Sequence, residues 1–226
     1  MKKLLIVIDY QKDFVDGSLG FKEAQDLDDY ITSLINQYHK NTDDVIFTFD
    51  THQENYLESQ EGRNLPVPHC IKGNDGWQLY GKVNDAKQKE DVCIEKPTFG
   101  SLELGNYLKE KSYQEITLVG VVSNICVLSN AIIVKSALPE TPICIEKTTF
   151  GSLELGNYLK DKNYQNITLV GVVSNICVLS NAVIVKSALP ETPIFIDVKG
   201  ISSNDLTMQA KAISILENLQ FNIINK

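Results

Sequence analysis

The sequence predicts an α/β fold, a doubly wound parallel sheet with helices on both faces. Three observations carry this expectation. Short β-branched apolar runs alternate with longer stretches of helical periodicity, the rhythm of repeated β-α-β units. The first run, Leu4–Ile8, is apolar at every position, as in a strand buried on both faces. Residues 93–143 recur almost unchanged as residues 144–194, so strand and helix patterns of the same kind appear twice in succession.

Taken in order, Leu4–Ile8 is the first predicted strand. A helix follows over Asp26–Tyr38, with Leu27, Tyr30, Ile31, Leu34, Ile35 and Tyr38 on one face. Val45–Phe49 and Val92–Ile94 are the next strands. Between them, Thr51–Glu90 breaks the rhythm. It is polar and holds Gly62, Pro66, Pro68, Gly73 and Gly76. A long irregular insert after the carboxyl end of a strand lies where open α/β sheets bind ligands. Within the first repeat, Ser101–Lys111 reads as a helix with Ser101 as its N-cap, Ile116–Val122 as a strand, and Asn124–Ala137 as a buried helix ending before Pro139. Each element returns 51 residues later. The chain then closes with a strand at Ile194–Ile196, a helix at Asp205–Leu219 and a strand at Phe221–Ile224.

Composition narrows the class. The chain has 226 residues, 43% of them apolar, which supports a full core. Without one repeat copy it would hold 175 residues, the size of an ordinary single α/β domain. Its net charge of −8 repels phosphate backbones, which argues against nucleic acid as a partner. Asp9 ends the amino-terminal apolar run too early for a secretion signal, and no stretch approaches a membrane span. The five cysteines, an odd number without framework spacing, fit a reducing compartment. A cytoplasmic protein with no membrane partner is expected.

The repeat copies differ at only five aligned pairs: Pro97/Thr148, Glu110/Asp161, Ser112/Asn163, Glu115/Asn166 and Ile132/Val183. Each copy carries one lysine and one cysteine of chemical interest: Lys96 and Cys126, then Lys147 and Cys177. Asp9, which ends the first strand, occurs once. Asp9, Lys96 and Cys126 all fall where strands end and ligands bind. A cysteine opening a helix meets the positive end of the helix dipole, which lowers its pKa toward thiolate. A nearby lysine would lower it further, and an aspartate could shuttle the proton.

These residues and their surroundings resemble the isochorismatase-like cysteine hydrolases, nicotinamidases in particular. The matching motifs are LIVIDYQKDFV around Asp9, FTFDTH at Phe47–His52, LPVPHCIKG at Leu65–Gly73, EKPTFGS at Glu95–Ser101 and GVVSNICV at Gly120–Val127. The resemblance covers the chain apart from the extra copy. It implies a Rossmann-like sheet and one hydrolase domain over residues 1–226 containing both copies. It also implies a catalytic triad of Asp9, Lys96 and Cys126, with Lys147 and Cys177 as duplicates. A cis peptide would fall between Val121 and Val122, and the Val122 and Cys126 N–H groups would form the oxyanion site. Asp50, His52 and His69 match the family's metal ligands, with Glu61 as an extra acidic ligand. The implied cofactor is one divalent transition metal, zinc, iron or manganese. Phe14 matches a substrate-lining aromatic residue. Where many nicotinamidases read Asp-Trp-His, this chain has Asp50-Thr51-His52. The implied reaction is hydrolysis of a small aromatic carboxamide, such as nicotinamide, through a thioester. The alternative is a folded duplication variant with impaired catalysis.

Three arrangements of the copies are open at this level. Copy two can extend the sheet from six strands to about eight, leaving copy one beside Asp9. It can instead displace copy one from that place. One copy can also swap into a neighbouring molecule and make a homo-oligomer. Extension is preferred, because every crossover then stays right-handed and no apolar strand is extruded.

Overall fold

The computed structural model describes residues 2–144, 153–203 and 205–226. Strand β1 (Leu4–Ile8) leads through two short helices, α1 (Lys12–Val15) and α2 (Lys22–Gln25), to helix α3 (Asp28–Lys40). Strand β2 (Asp44–Asp50) opens the irregular insert, which folds into α4 (Gln60–Asn64), α5 (Gly81–Ala86) and two 3-10 turns before β3 (Val92–Lys96). Copy one continues with α6 (Leu102–Leu108), β4 (Ile116–Gly120), a π-helical turn at Ser123–Val127 and α7 (Leu128–Ala137). Copy two supplies α8 (Leu153–Leu159), β5 (Ile167–Val172), an equivalent turn at Ser174–Val178 and α9 (Leu179–Ala188). Strand β6 (Ile194–Ser202), helix α10 (Leu206–Asn218) and strand β7 (Asn222–Ile224) complete the chain.

All strand pairings are parallel, in the orders β3-β2-β1-β4 and β5-β6-β7. Strand β1 shows why a fully apolar run was needed. Leu5 and Val7 pack into a core with helix α3, whereas Leu4, Ile6 and Ile8 pack on the other face with residues of α6 and α7. All five are fully buried.

The question of which copy lies beside Asp9 has a direct answer. Strand β1 pairs with β4 of copy one, with Ile8 opposite Gly120. Gly120 has φ +122, and a Cβ there would lie 2.0 Å from Ile8 O, so only glycine permits this pairing. On its outer side β4 meets the start of copy two. Ile116 N–H donates to Pro142 O at 2.9 Å, and Cys144 N–H donates to Ile116 O at 3.0 Å. Ile143 therefore begins the next parallel pairing, as extension requires. The described residues contain seven strands, and the strand expected to follow Ile143 lies largely outside them. The outer edge of β4 is taken up by residues 142–144, so β5 cannot pair with it and joins β6 instead. Copy one is neither displaced nor extruded.

The copies pack against each other as near-equivalents. Asn106 on α6 and Asn157 on α8 exchange side-chain hydrogen bonds of 3.2 and 3.1 Å. Ile133 on α7 and Ile184 on α9 are both fully buried in one small cluster. Each pair joins residues that occupy the same place in the repeat. No helix among the described residues is long and apolar enough to cross a membrane.

Candidate active site

Asp9, Asp50 and Lys96 reach one place because three neighbouring parallel strands end together. Asp50 is opposite Lys96 in the β2–β3 register, and Asp9 follows Ile8, which is opposite Thr48. Asp9 leaves the strand with φ +47, a turn that carries its carboxylate into the site. Lys96 Nζ is at the centre, 2.7 Å from Asp9 Oδ2, 3.1 Å from Asp50 Oδ1 and 2.9 Å from Thr98 O. Cys126 Sγ lies 3.8 Å from the same nitrogen. All four side chains are at least nine-tenths buried.

Burial governs the electrostatics. Desolvation would lower the Lys96 pKa, but Asp50 and Asp9 reverse this and hold it well above its ordinary value. Desolvation also raises Asp9, against the pull of Lys96 and with the help of Asp50. The Cys126 thiol is likewise pushed well above its ordinary range by burial, which outweighs Lys96, with Asp9 and Asp50 adding to the rise. Lys96 lowers the Cys126 pKa, as expected of a neighbouring lysine, but burial raises it by more. Cys126 lies within the π-helical turn ahead of α7, buried with the Asp9 and Asp50 carboxylates nearby.

Beside this group is a second cluster. Asp50, His52, Glu61 and His69 present ligand atoms within 4.8 Å of one another, and all four residues are buried. His52 Nε2 is 3.0 Å from Asp50 Oδ2, and His69 Nε2 is 3.4 Å from the same oxygen. His69 Nδ1 lies 2.8 Å from Val67 O. A carbonyl can only accept, so Nδ1 donates to it and Nε2 is the ring nitrogen that faces the cluster. Burial would raise Asp50, but Lys96 and the two histidines keep it well below the usual carboxylate range. Burial, then the Asp50 charge, pushes Glu61 up to about 7. Two imidazoles and two carboxylates, with His52 Nε2 and Asp50 Oδ2 drawn to within 3.0 Å of each other, suit a borderline divalent cation.

Between the two clusters opens a cavity of about 250 Å³. Cys126, Asp50, Glu61 and His69 meet it on the polar side, and Phe14, Phe21, Phe99 and Ile125 form apolar walls. The Phe14 ring packs edge-on to His69, with centroids 5.4 Å apart. Val122 also lines the cavity, and the Val121–Val122 peptide is cis. Thr51, where a tryptophan is usual in nicotinamidases, accepts a 2.9 Å hydrogen bond from Trp77 Nε1 instead.

Copy two's counterparts are elsewhere. Cys177 is only partly buried and keeps the local turn, with Asn181 Nδ2 donating to its carbonyl as Asn130 does to that of Cys126. Lys147 lies outside the described residues.

Sequence reasoning missed three supporting residues. Gln11 donates to Asp50 O and accepts from Asp50 N–H, at 2.9 and 2.8 Å, fixing the strand end that carries two site clusters. Thr48 Oγ1 donates to Asp9 Oδ1 at 2.7 Å. Asn130 links the Cys126 carbonyl to the Phe99–Ser101 turn through three hydrogen bonds. Gln11 lies inside the first motif and was within reach. Thr48 lies inside the second motif and was equally within reach, whereas the bonds of Asn130 to Phe99 and Ser101 span 31 and 29 positions and leave no local signal.

A parallel sheet whose strand ends gather a buried thiol, a charged lysine and a carboxylate beside a four-residue donor cluster defines a hydrolase-like α/β class. The isochorismatase domain matches residues 3–134, more than half of the chain, and the chain belongs to that family. It is 37% identical over 143 residues to the uncharacterized isochorismatase family protein PncA of Bacillus subtilis, covering 58% of this chain and 78% of that one. It is 23% identical over 148 residues to the nicotinamidase/pyrazinamidase of Mycobacterium tuberculosis, covering 57% and 76%. The crystal structure of nicotinamidase/pyrazinamidase PncA from Bacillus subtilis aligns over 99% of both chains, with a TM-score of 0.54 and 23% identity, which places the fold.

Proposed function

We propose that the protein is a cysteine-dependent amidase of the nicotinamidase type, hydrolysing a small aromatic carboxamide to the acid and ammonia. The observation that carries this reading is that Cys126, held beside the Lys96–Asp9 pair, lines a cavity walled by Phe14, Phe21 and Phe99. A flat aromatic ring fits such walls, and its amide carbon then meets the thiol.

In this mechanism the Cys126 proton passes to Asp9, the one group of the three that can accept it. The sulfur attacks the carboxamide carbon while the Val122 and Cys126 N–H groups face the developing oxyanion. Lys96 stays charged, holding Asp9 in place and offsetting negative charge as it builds. Asp9 returns its proton to the departing nitrogen, and ammonia leaves a thioester on Cys126. Water, deprotonated by Asp9, cleaves the thioester and restores the thiol. Asp50, His52, Glu61 and His69 would hold one divalent transition metal, zinc, iron or manganese. When bound, it supplies a Lewis acid that orients a ring heteroatom of the substrate.

The test is ammonia release from nicotinamide by metal-loaded protein, compared with folded Cys126→Ala. Release well above the variant supports the reading. Equal release overturns it and favours a folded variant without catalysis.

A further inference from the structure

The second copy's cysteine has no part in this site, but its last helix touches the site's frame. Helix α4 carries Glu61, and at five residues it is too short to hold itself. One end is fastened by its own N-cap, as Ser59 Oγ accepts from Gly62 N–H at 2.9 Å. The other fastening comes from copy two. Glu191 Oε2 accepts the Gln60 N–H at 2.8 Å, satisfying a donor left open at the helix start. Lys186, at the end of α9 and 3% exposed, donates to Gln60 Oε1 and, at 3.0 Å, to Pro190 O. Both groups therefore grip the residue next to Glu61, 126 and 131 positions away in sequence.

The first copy offers an internal control. Lys135 and Glu140 occupy the same places in the repeat. Lys135 folds back onto Thr141 O at 3.1 Å, and Glu140 is exposed. Identical chemistry thus exists in both copies, and only copy two reaches α4. Helix α9 also stands behind the cavity wall: a Cβ on Gly100, next to Phe99, would meet Ser187 Oγ at 2.6 Å.

We propose that Lys186 and Glu191 are positioning residues for the metal cluster, so that the duplicated segment acts as a clamp on Glu61 rather than as a second catalytic centre. The proposal rests on the metal reading above. Groups that orient metal ligands typically change affinity by about 10- to 100-fold when removed.

The experiment measures zinc affinity by competition with a chromophoric chelator, together with amide exchange over residues 59–65. Lys186→Met, Glu191→Ala and the double variant are compared with Lys135→Met, Glu140→Ala and their double. The copy-two double should bind zinc about tenfold more weakly and exchange faster at 59–65. The copy-one double should stay within about twofold of wild type, and Lys186→Arg should recover most of the affinity. Equal zinc affinity in wild type and the copy-two double overturns the clamp, even if exchange quickens, and so does an equal loss in the copy-one double. Failure of the wild-type protein to take up zinc, iron or manganese overturns the metal reading itself, and the clamp with it. These failures are distinguishable because only the last appears in the unsubstituted protein.

Discussion

Copies one and two are nearly the same sequence, yet Val121 is 2% exposed and its counterpart Val172 is 69% exposed. Cys126 is buried against Lys96 and Asp9, and Cys177 is only partly buried. Local conformation does not account for this. Both copies make the same π-helical turn and the same ten-residue helix after it. The difference is the neighbour. Strand β4 pairs with β1, which brings Asp9 and a layer containing α3, whereas β5 pairs with β6 and gains neither. An active site in this fold belongs to a junction between strands, so copying one side of the junction does not copy the site.

The sharpest way to break this comparison is at the cysteines. Cys126→Ala should reduce nicotinamide turnover at least about a thousandfold, and Cys177→Ala should leave it within about twofold. The reverse pattern would mean that copy two occupies the place beside β1 in solution.

Next comes the buried lysine. Lys96→Met leaves Asp9 and Asp50 without their shared counter-charge, and should destabilise the fold by about 3–5 kcal/mol in denaturant unfolding, besides abolishing turnover. Lys147→Met should shift neither, since Asp9 occurs only once. A comparable loss of stability from Lys147→Met would show that the second lysine also neutralises a buried carboxylate.

A milder effect is expected at the metal cluster, which lies wholly before the repeat. Elemental analysis should find one tightly bound metal per chain, and His52→Ala should weaken zinc binding by at least about a hundredfold, because it removes a ligand itself. Two metals per chain would place a second cluster in the copied segment.

The smallest effect concerns the contact between copies. Asn106→Ala and Asn157→Ala should each cost about 0.5–1.5 kcal/mol, and the double variant no more than about the larger single loss, because the two side chains serve one reciprocal contact. Full additivity would mean that the pairing does not persist in solution.

Much of the frame could be read from the chain. Leu4–Ile8 needed no more than its unbroken apolar run, and Asp9 and Lys96 were marked by lying at strand ends, whereas Asp50 entered through family resemblance. Ser101 and Asp205 were legible as helix starts, and both accept a backbone N–H three residues on. Glu61 entered only through family resemblance, because a glutamate in a polar insert carries no signal of its own. The net rise of the Cys126 pKa was out of reach for a related reason. Helix position is written in the sequence, whereas the degree of burial and the nearby Asp50 charge are not.

The sequence by itself determined the strands, the helices and the types of chemical group available, since these depend on periodicity, capping and residue identity within a few positions. Tertiary structure alone decided which of two matching cysteines meets Asp9, and that Lys186 grips the helix carrying Glu61 while Lys135 does not. Identical segments have identical local preferences. What separates them is the strand each one lies beside, and that is set by chain connectivity and by the edge of β4 already occupied at Ile143.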